Sequence, residues 1–218
     1  MTRLHLFDLD GTLIRDSAAP VEISRQLGLE REIVALERAF SAGLPPAEFA
    51  RELYALWSGL TAEHVRTAFD GAPWLLGIRE VWREIRARGE HCAVVSLSPS
   101  FFVELLLDWG ADAAHGSVFP APPFGVPVVP LDPAGLLTPA GKVVVADRLC
   151  ARFGLTRKDC VAYGDSNTDE ALFAAVPISV AVNARPWIAA RATHVYQGED
   201  LRDAFALVPG TGPGNAAS

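Results

Sequence analysis

Short apolar runs that end in polar residues alternate along this chain with stretches of helical periodicity. Leu4, Leu6 and Phe7 open a run that stops at Asp8-Leu9-Asp10-Gly11-Thr12, the pattern of a buried strand entering a glycine turn. From about residue 19 to 70 the spacing is helical only. Val21, Ile23, Leu27 and Leu29 form one set, Ile33, Leu36 and Phe40 a second, and Phe49, Leu53, Leu56 and Leu60 a third. Breaks fall at Gly28, at Gly43-Leu44-Pro45-Pro46 and at Ser58-Gly59, and Thr61-Ala62-Glu63 reads as a helix start capped by Thr61.

Beyond Gly71-Ala72-Pro73 strands and helices alternate. Residues 77–88 are an amphipathic helix stopped by Gly89, and Cys92 to Ser96 is a buried strand. Ser98 and Ser100 read as caps of a helix from Phe101 to Trp109. The proline-rich stretch 117–139 reads as a short hairpin or loop insertion. A helix over 141–153, a strand from Cys160 to Tyr163, a helix over 169–175, a strand from Ile178 to Val182 and a short helix over 186–192 follow. The Gly-, Pro- and Ala-rich end, residues 209–218, is expected to be disordered. Apolar strands alternating with helices predict an α/β fold, a parallel sheet with helices on both faces. The helical block between the first and second strands would form a separate small bundle over the strand ends. Three strands end in polar residues, at Asp8/Asp10, Ser96 and Asp165, and in a parallel sheet these ends share one edge.

At 218 residues the chain is one domain, or one domain with a large insertion, and 50% hydrophobic residues exclude general disorder. A net charge of -7 argues against a nucleic-acid or anionic-membrane partner. Three cysteines without C-x-x-C spacing suit a reducing compartment. With neither a signal-like start nor a membrane-length apolar run, the expected location is cytoplasmic. The oligomeric state is left open.

The strand ends carry the candidate chemistry. Asp8 and Asp10 stand close together at a turn, and close carboxylates call for a cation. Asp165 adds a third carboxylate, and an oxygen-only set suits Mg2+ better than zinc. Thr12 and Ser96 offer hydroxyls, Gly11 exposes backbone N–H groups, and Lys142 adds positive charge, a combination suited to phosphate. The histidines show no metal-like spacing and the tryptophans read as packing, Trp74 being the one nearest a junction with the helical block.

Four motifs in order carry a resemblance. Phe7-Asp8-Leu9-Asp10-Gly11-Thr12-Leu13 resembles the first motif of the haloacid dehalogenase (HAD) superfamily, and Val94-Val95-Ser96 its second. Lys142 stands where the third motif's lysine falls, and Gly164-Asp165-Ser166-Asn167-Thr168-Asp169 resembles the fourth. The spacing is similar to that of phosphoserine-phosphatase-type members, subfamily IB. The resemblance implies a HAD-type Rossmann-like core over residues 1–14 and 76–208 and a helical C1 cap over 15–75. It implies Asp8 as nucleophile and Asp10 as general acid and base. It further implies Mg2+ held by Asp8, the Asp10 carbonyl and Asp165, with Thr12, Ser96 and Lys142 on the phosphoryl group and Asp169, Gly11 and Gly164 in support. The implied activity is hydrolysis of a small phosphorylated metabolite, with a phosphomutase or phosphotransferase, or a non-catalytic scaffold, as the alternatives. Arg15, Asp16, Ser17 and Arg51 are the candidate specificity residues, with Arg25, Arg31, Arg38 and Arg66 also on the helical block. Three positions depart from phosphoserine phosphatases: Ser17 replaces a substrate-binding Glu, no arginine is in register with the carboxylate-binding one, and Thr168 replaces Asn.

Overall fold

The computed structural model describes residues 2–124 and 130–211. Strand β1 (Leu4–Phe7) is buried along its whole length. Its side chains alternate between two apolar layers: Phe7 joins the larger core, and Leu4 and Leu6 join the smaller. Four helices follow, α1 (Ala19–Gln26), α2 (Glu30–Ser41), α3 (Pro46–Leu56) and α4 (Ala62–Gly71). Helix α4 starts as the sequence predicts: Thr61 Oγ1 accepts from the His64 N–H at 3.2 Å, and His64 Nδ1 accepts from the Thr61 N–H at 3.3 Å.

Helix α5 (Ile78–Ala87) buries Ile78, Val81, Trp82 and Ile85, one stripe at helical spacing. Then come β2 (His91–Pro99), α6 (Ser100–Val103), β3 (Ala113–Ser117), α7 (Pro139–Phe153), β4 (Cys160–Gly164), α8 (Glu170–Ala175), β5 (Ile178–Val182), α9 (Pro186–Ala189), β6 (His194–Tyr196) and α10 (Leu201–Ala206). The strands form one six-stranded sheet in the order β3-β2-β1-β4-β5-β6, every adjacent pair parallel. The α/β prediction holds.

The larger apolar cluster runs from Phe7, Val94 and Tyr163 on the sheet, through Trp82, to Ile23, Leu53, Trp57 and Phe69 of the four-helix block. The block therefore shares its core with the sheet. Phe7 stacks on Tyr163 with centroids 4.3 Å apart, and Phe7 pairs in register with both Val94 and Tyr163. That register brings the ends of β1, β2 and β4 to one level.

Four expectations need correction. The stretch 117–139 holds no hairpin among its described residues; it is loop with one 3-10 turn at Pro133–Gly135, and residues 125–129 lie outside the described part. The helix over 101–109 is one α-turn followed by a 3-10 segment, Glu104–Trp109. Strand β2 continues past Ser96 to Pro99. The tail does not become loose at 209. Arg3 donates to the Pro209 carbonyl, Arg88 to those of Gly210 and Thr211, and the buried Thr211 hydroxyl to the Phe205 carbonyl. The remainder, 212–218, lies outside the described residues. No helix of the described residues is long and apolar enough to cross a membrane.

Candidate active site

The sheet ends where its polar residues begin. The Asp8 N–H donates to the Tyr163 carbonyl at 2.9 Å, so the first carboxylate leaves β1 while still tied to β4. Gly11 then turns the chain at φ +76, a conformation that favours glycine. A Cβ on Gly11 would stand 2.2 Å from Asp165 Oδ2, so the bare backbone lets the third carboxylate approach the first turn.

Lys142 projects from the first turns of α7, whose start is fixed by Pro139 and by Thr138 Oγ1 accepting from the Gly141 N–H at 3.0 Å. Its Nζ donates to Asp8 Oδ1 at 2.6 Å and to Asp169 Oδ1 at 2.7 Å, with Thr168 Oγ1 at 3.4 Å. The three charges are almost dry: Lys142 is 1% exposed, Asp8 5% and Asp169 1%. Charges buried this deeply are stable only when paired, and the two carboxylates hold the ammonium protonated, above its ordinary range.

Asp8, Asp165 and Asp169 each offer a carboxylate oxygen within 4.8 Å of the others, a donor set that fits a hard divalent cation such as Mg2+. Asp169 is already engaged on both oxygens. Oδ1 takes Lys142, and Oδ2 accepts the N–H groups of Asp165 and Ser166 at 3.1 and 3.2 Å. It therefore orients the others, and Asp8 and Asp165 keep lone pairs for an ion. Burial, then the neighbouring Asp169, pushes the Asp165 carboxyl up to about 8, and the same causes raise Asp8 well above the carboxylate range against the pull of Lys142. A cation between them would reverse that repulsion.

The Asp10 carboxylate has partners of its own. Oδ1 accepts the Ala19 N–H at 2.7 Å, and Oδ2 accepts the hydroxyls of Ser98 at 2.6 Å and Ser96 at 3.1 Å. Burial raises Asp10, and the bonds from Ser98, Ala19 and Ser96 hold it down.

Above lies a cavity of about 690 Å3 whose wall includes Asp8, Asp10, Gly11, Asp16, Ser17 and Ser98 together with parts of α2 and α3. Thr12, Ser96 and Lys142 are buried and take no part in that wall. Thr12 donates to Asp165 Oδ1 at 3.3 Å, and Ser96 accepts the Ser98 N–H at 3.1 Å. Gly164, closing β4, is packed against Asp169, where a Cβ would lie 2.4 Å from its carboxyl carbon. Arg15 pairs with Glu199, Ser17 donates to Glu22, and Arg51 is exposed and stands outside the wall of this cavity.

Two residues were missed from sequence. Ser98 was read as a helix cap, yet α6 has no side-chain cap and Ser98 is the shortest donor to Asp10. The signal was its place two residues after Ser96, on the same face of an extended strand. Glu37, on α2, stands in the cavity wall, and burial together with Asp10 pushes it up to about 7. Nothing in its local sequence separates it from the solvated glutamates of the same helix.

The structure is thus a parallel α/β sheet with acidic residues at its strand ends and the Lys142 ammonium reaching them from α7. The family model described as haloacid dehalogenase-like hydrolase matches residues 5–174, and the chain belongs to that family. The phosphoserine phosphatase of Methanocaldococcus jannaschii is 26% identical over 204 residues, covering 92% of this chain and 95% of that protein. The phosphoserine phosphatase of Archaeoglobus fulgidus is 24% identical over 185 residues, 84% of this chain but 53% of the relative, so the chain spans about half of that protein's length. A solved phosphoserine phosphatase described as a phospho-aspartyl intermediate analogue is 25% identical with a TM-score of 0.78, covering 95% of this chain and 99% of that one. Within its family the chain is similar to phosphoserine phosphatases.

Proposed function

We propose that this chain hydrolyses small phosphate monoesters with Mg2+, by way of a phosphoryl group carried on Asp8. The observation that carries this reading is the Lys142 ammonium held between Asp8 and Asp169 at 2.6 and 2.7 Å, beside Asp165 and next to a cavity that Asp8 lines. A phosphate dianion needs its charge balanced and a nucleophile held in line.

Asp8 attacks phosphorus as its carboxylate: an oxygen–phosphorus bond forms to Asp8 and the ester oxygen–phosphorus bond breaks. Asp10 enters this step in its protonated form, the form that burial favours, and gives its proton to the departing alkoxide. The Asp10 carboxylate then takes a proton from water, whose oxygen bonds to phosphorus as the bond to Asp8 breaks. The products are the alcohol and inorganic phosphate, and both side chains return to their starting states. Ser98 and Ser96 hold the Asp10 carboxylate in place throughout, and Lys142 balances charge on Asp8 and the phosphoryl oxygens. Asp8 and Asp165 would hold Mg2+, which supplies further charge neutralisation on the phosphoryl group. The helical block over residues 15–75 acts as a cap that excludes water from the intermediate.

The test is phosphate release from a panel of phosphorylated metabolites and an aryl phosphate, in Mg2+ and in EDTA, with wild type beside Asp8→Asn. Release in Mg2+ with no acceptor present, absent in EDTA and in Asp8→Asn, supports hydrolysis. No release from any ester by folded protein overturns it.

A further inference from the structure

We infer that the cavity selects phosphate monoesters of apolar, aromatic-sized alcohols that carry no second anion, with an ammonium group of the substrate facing Glu37. This rests on the phosphomonoesterase reading and goes beyond it. The cavity is built in two halves. Asp8, Asp10 and Asp165 line one part, and the helical side is apolar, formed by Phe40, Leu44, Phe49 and Leu53; Phe119, which packs on Tyr54 and Trp57, and Leu97 also line it. At about 690 Å3 it is larger than a three-carbon phosphate requires and has room for a ring.

Charge makes the selection sharper. Among the described residues of the wall, the acidic side chains are Asp8, Asp10, Asp16, Glu37 and Asp165, and the basic one is Arg185. Arg185 is exposed and lies over the Trp187 ring at 5.3 Å from its centroid. Arg15 and Arg25 line a neighbouring groove beyond Glu37, and each is paired already, with Glu199 and Glu22. A substrate carboxylate pointing into the helical half would lose its water, find no free cation, and face Glu37. Glu37 itself has no hydrogen-bond donor or cation among the described residues; burial and the Asp10 charge are what act on it. An ammonium group would give it a partner. The apolar wall would cover the body of the alcohol.

The experiment compares kcat/KM at pH 8 for para-nitrophenyl phosphate, phenethyl phosphate, phenylalaninol phosphate and phosphoserine, with Mg2+ present. Phenylalaninol phosphate is expected to exceed phosphoserine by about 100-fold, the penalty of leaving a buried carboxylate unpaired. Glu37→Gln is expected to lower the ratio of phenylalaninol to phenethyl phosphate by about 10-fold. Glu37→Arg is expected to raise phosphoserine relative to phenylalaninol phosphate by at least that factor. Phosphoserine turned over as well as the aromatic esters, or a ratio that ignores Glu37→Gln, overturns the inference while leaving hydrolysis intact. Failure of all four esters, para-nitrophenyl phosphate included, overturns the hydrolysis reading and the inference with it.

Discussion

Replacing Lys142 by methionine keeps the length of the side chain and removes the ammonium from between Asp8 and Asp169. Both carboxylates are nearly dry, 5% and 1% exposed, so neither can be rescued by solvent. Removing one partner of a buried ion pair costs about 3–5 kcal/mol, and here two acids lose the same partner, which points to the upper end. At roughly 2–4 °C per kcal/mol for a chain of this size, the melting temperature should fall by roughly 10–20 °C. The assay is urea unfolding in EDTA at pH 7.5 for wild type, Lys142→Met, Asp169→Asn and the double variant. The double variant should recover about 2 kcal/mol relative to Lys142→Met, because one of the two stranded charges is gone. The deficit should also shrink as pH falls. Asp8 already sits well above the usual carboxylate range, and losing Lys142 raises it further. An acid whose folded-state pKa is raised contributes stability below its unfolded pKa and loses it as pH rises, so the gap between wild type and variant opens with rising pH. A deficit below about 1 kcal/mol, or a double variant no more stable than the single, would refute the reasoning.

The same sign governs Asp165, raised from 3.8 to about 8. In EDTA wild type should lose on the order of 3 kcal/mol relative to Asp165→Asn between pH 5 and 8.5, and Mg2+ should restore wild type but not the variant, as denaturation midpoints will report. Ser98→Ala removes the 2.6 Å donor to Asp10. We expect kcat about 10-fold lower and the ionisation of Asp10 in the pH–rate profile moved upward; a fall in stability with an unmoved profile would assign Ser98 a packing role only.

The fold was legible wherever burial leaves a local pattern. Central strands such as Leu4–Phe7 and Cys160–Gly164 are covered on both faces and read as apolar runs. Edge strands leave no such trace: Ala113–Ser117, reading AAHGS, and the three-residue His194–Tyr196 pair on one side only and were not foreseen. The candidate site was legible at Asp8, Asp10 and Asp165 because each sits where a strand meets a turn, and the turn residues mark it. Thr12, Ser96 and Lys142 were found as residues, and Asp169 as one that could orient Lys142, but the partners Asp165, Asp10 and Asp8 were not. All three face protein carboxylates, a pairing that depends on elements far apart in sequence. Glu37 could not be separated from the other glutamates of α2 without the fold, since its half-buried place in the cavity wall comes from how α2 packs.

The central claim is that the phosphoryl group passes through Asp8. Its most direct test is to mix enzyme with a radiolabelled phosphate ester and Mg2+, quench in cold acid within one turnover, and map the label by peptide digestion. The account predicts hydroxylamine-labile phosphate on the peptide that contains Asp8, absent in Asp8→Asn and without Mg2+. Label on another residue, or rapid turnover with no covalent label and full activity in Asp8→Asn, would contradict it.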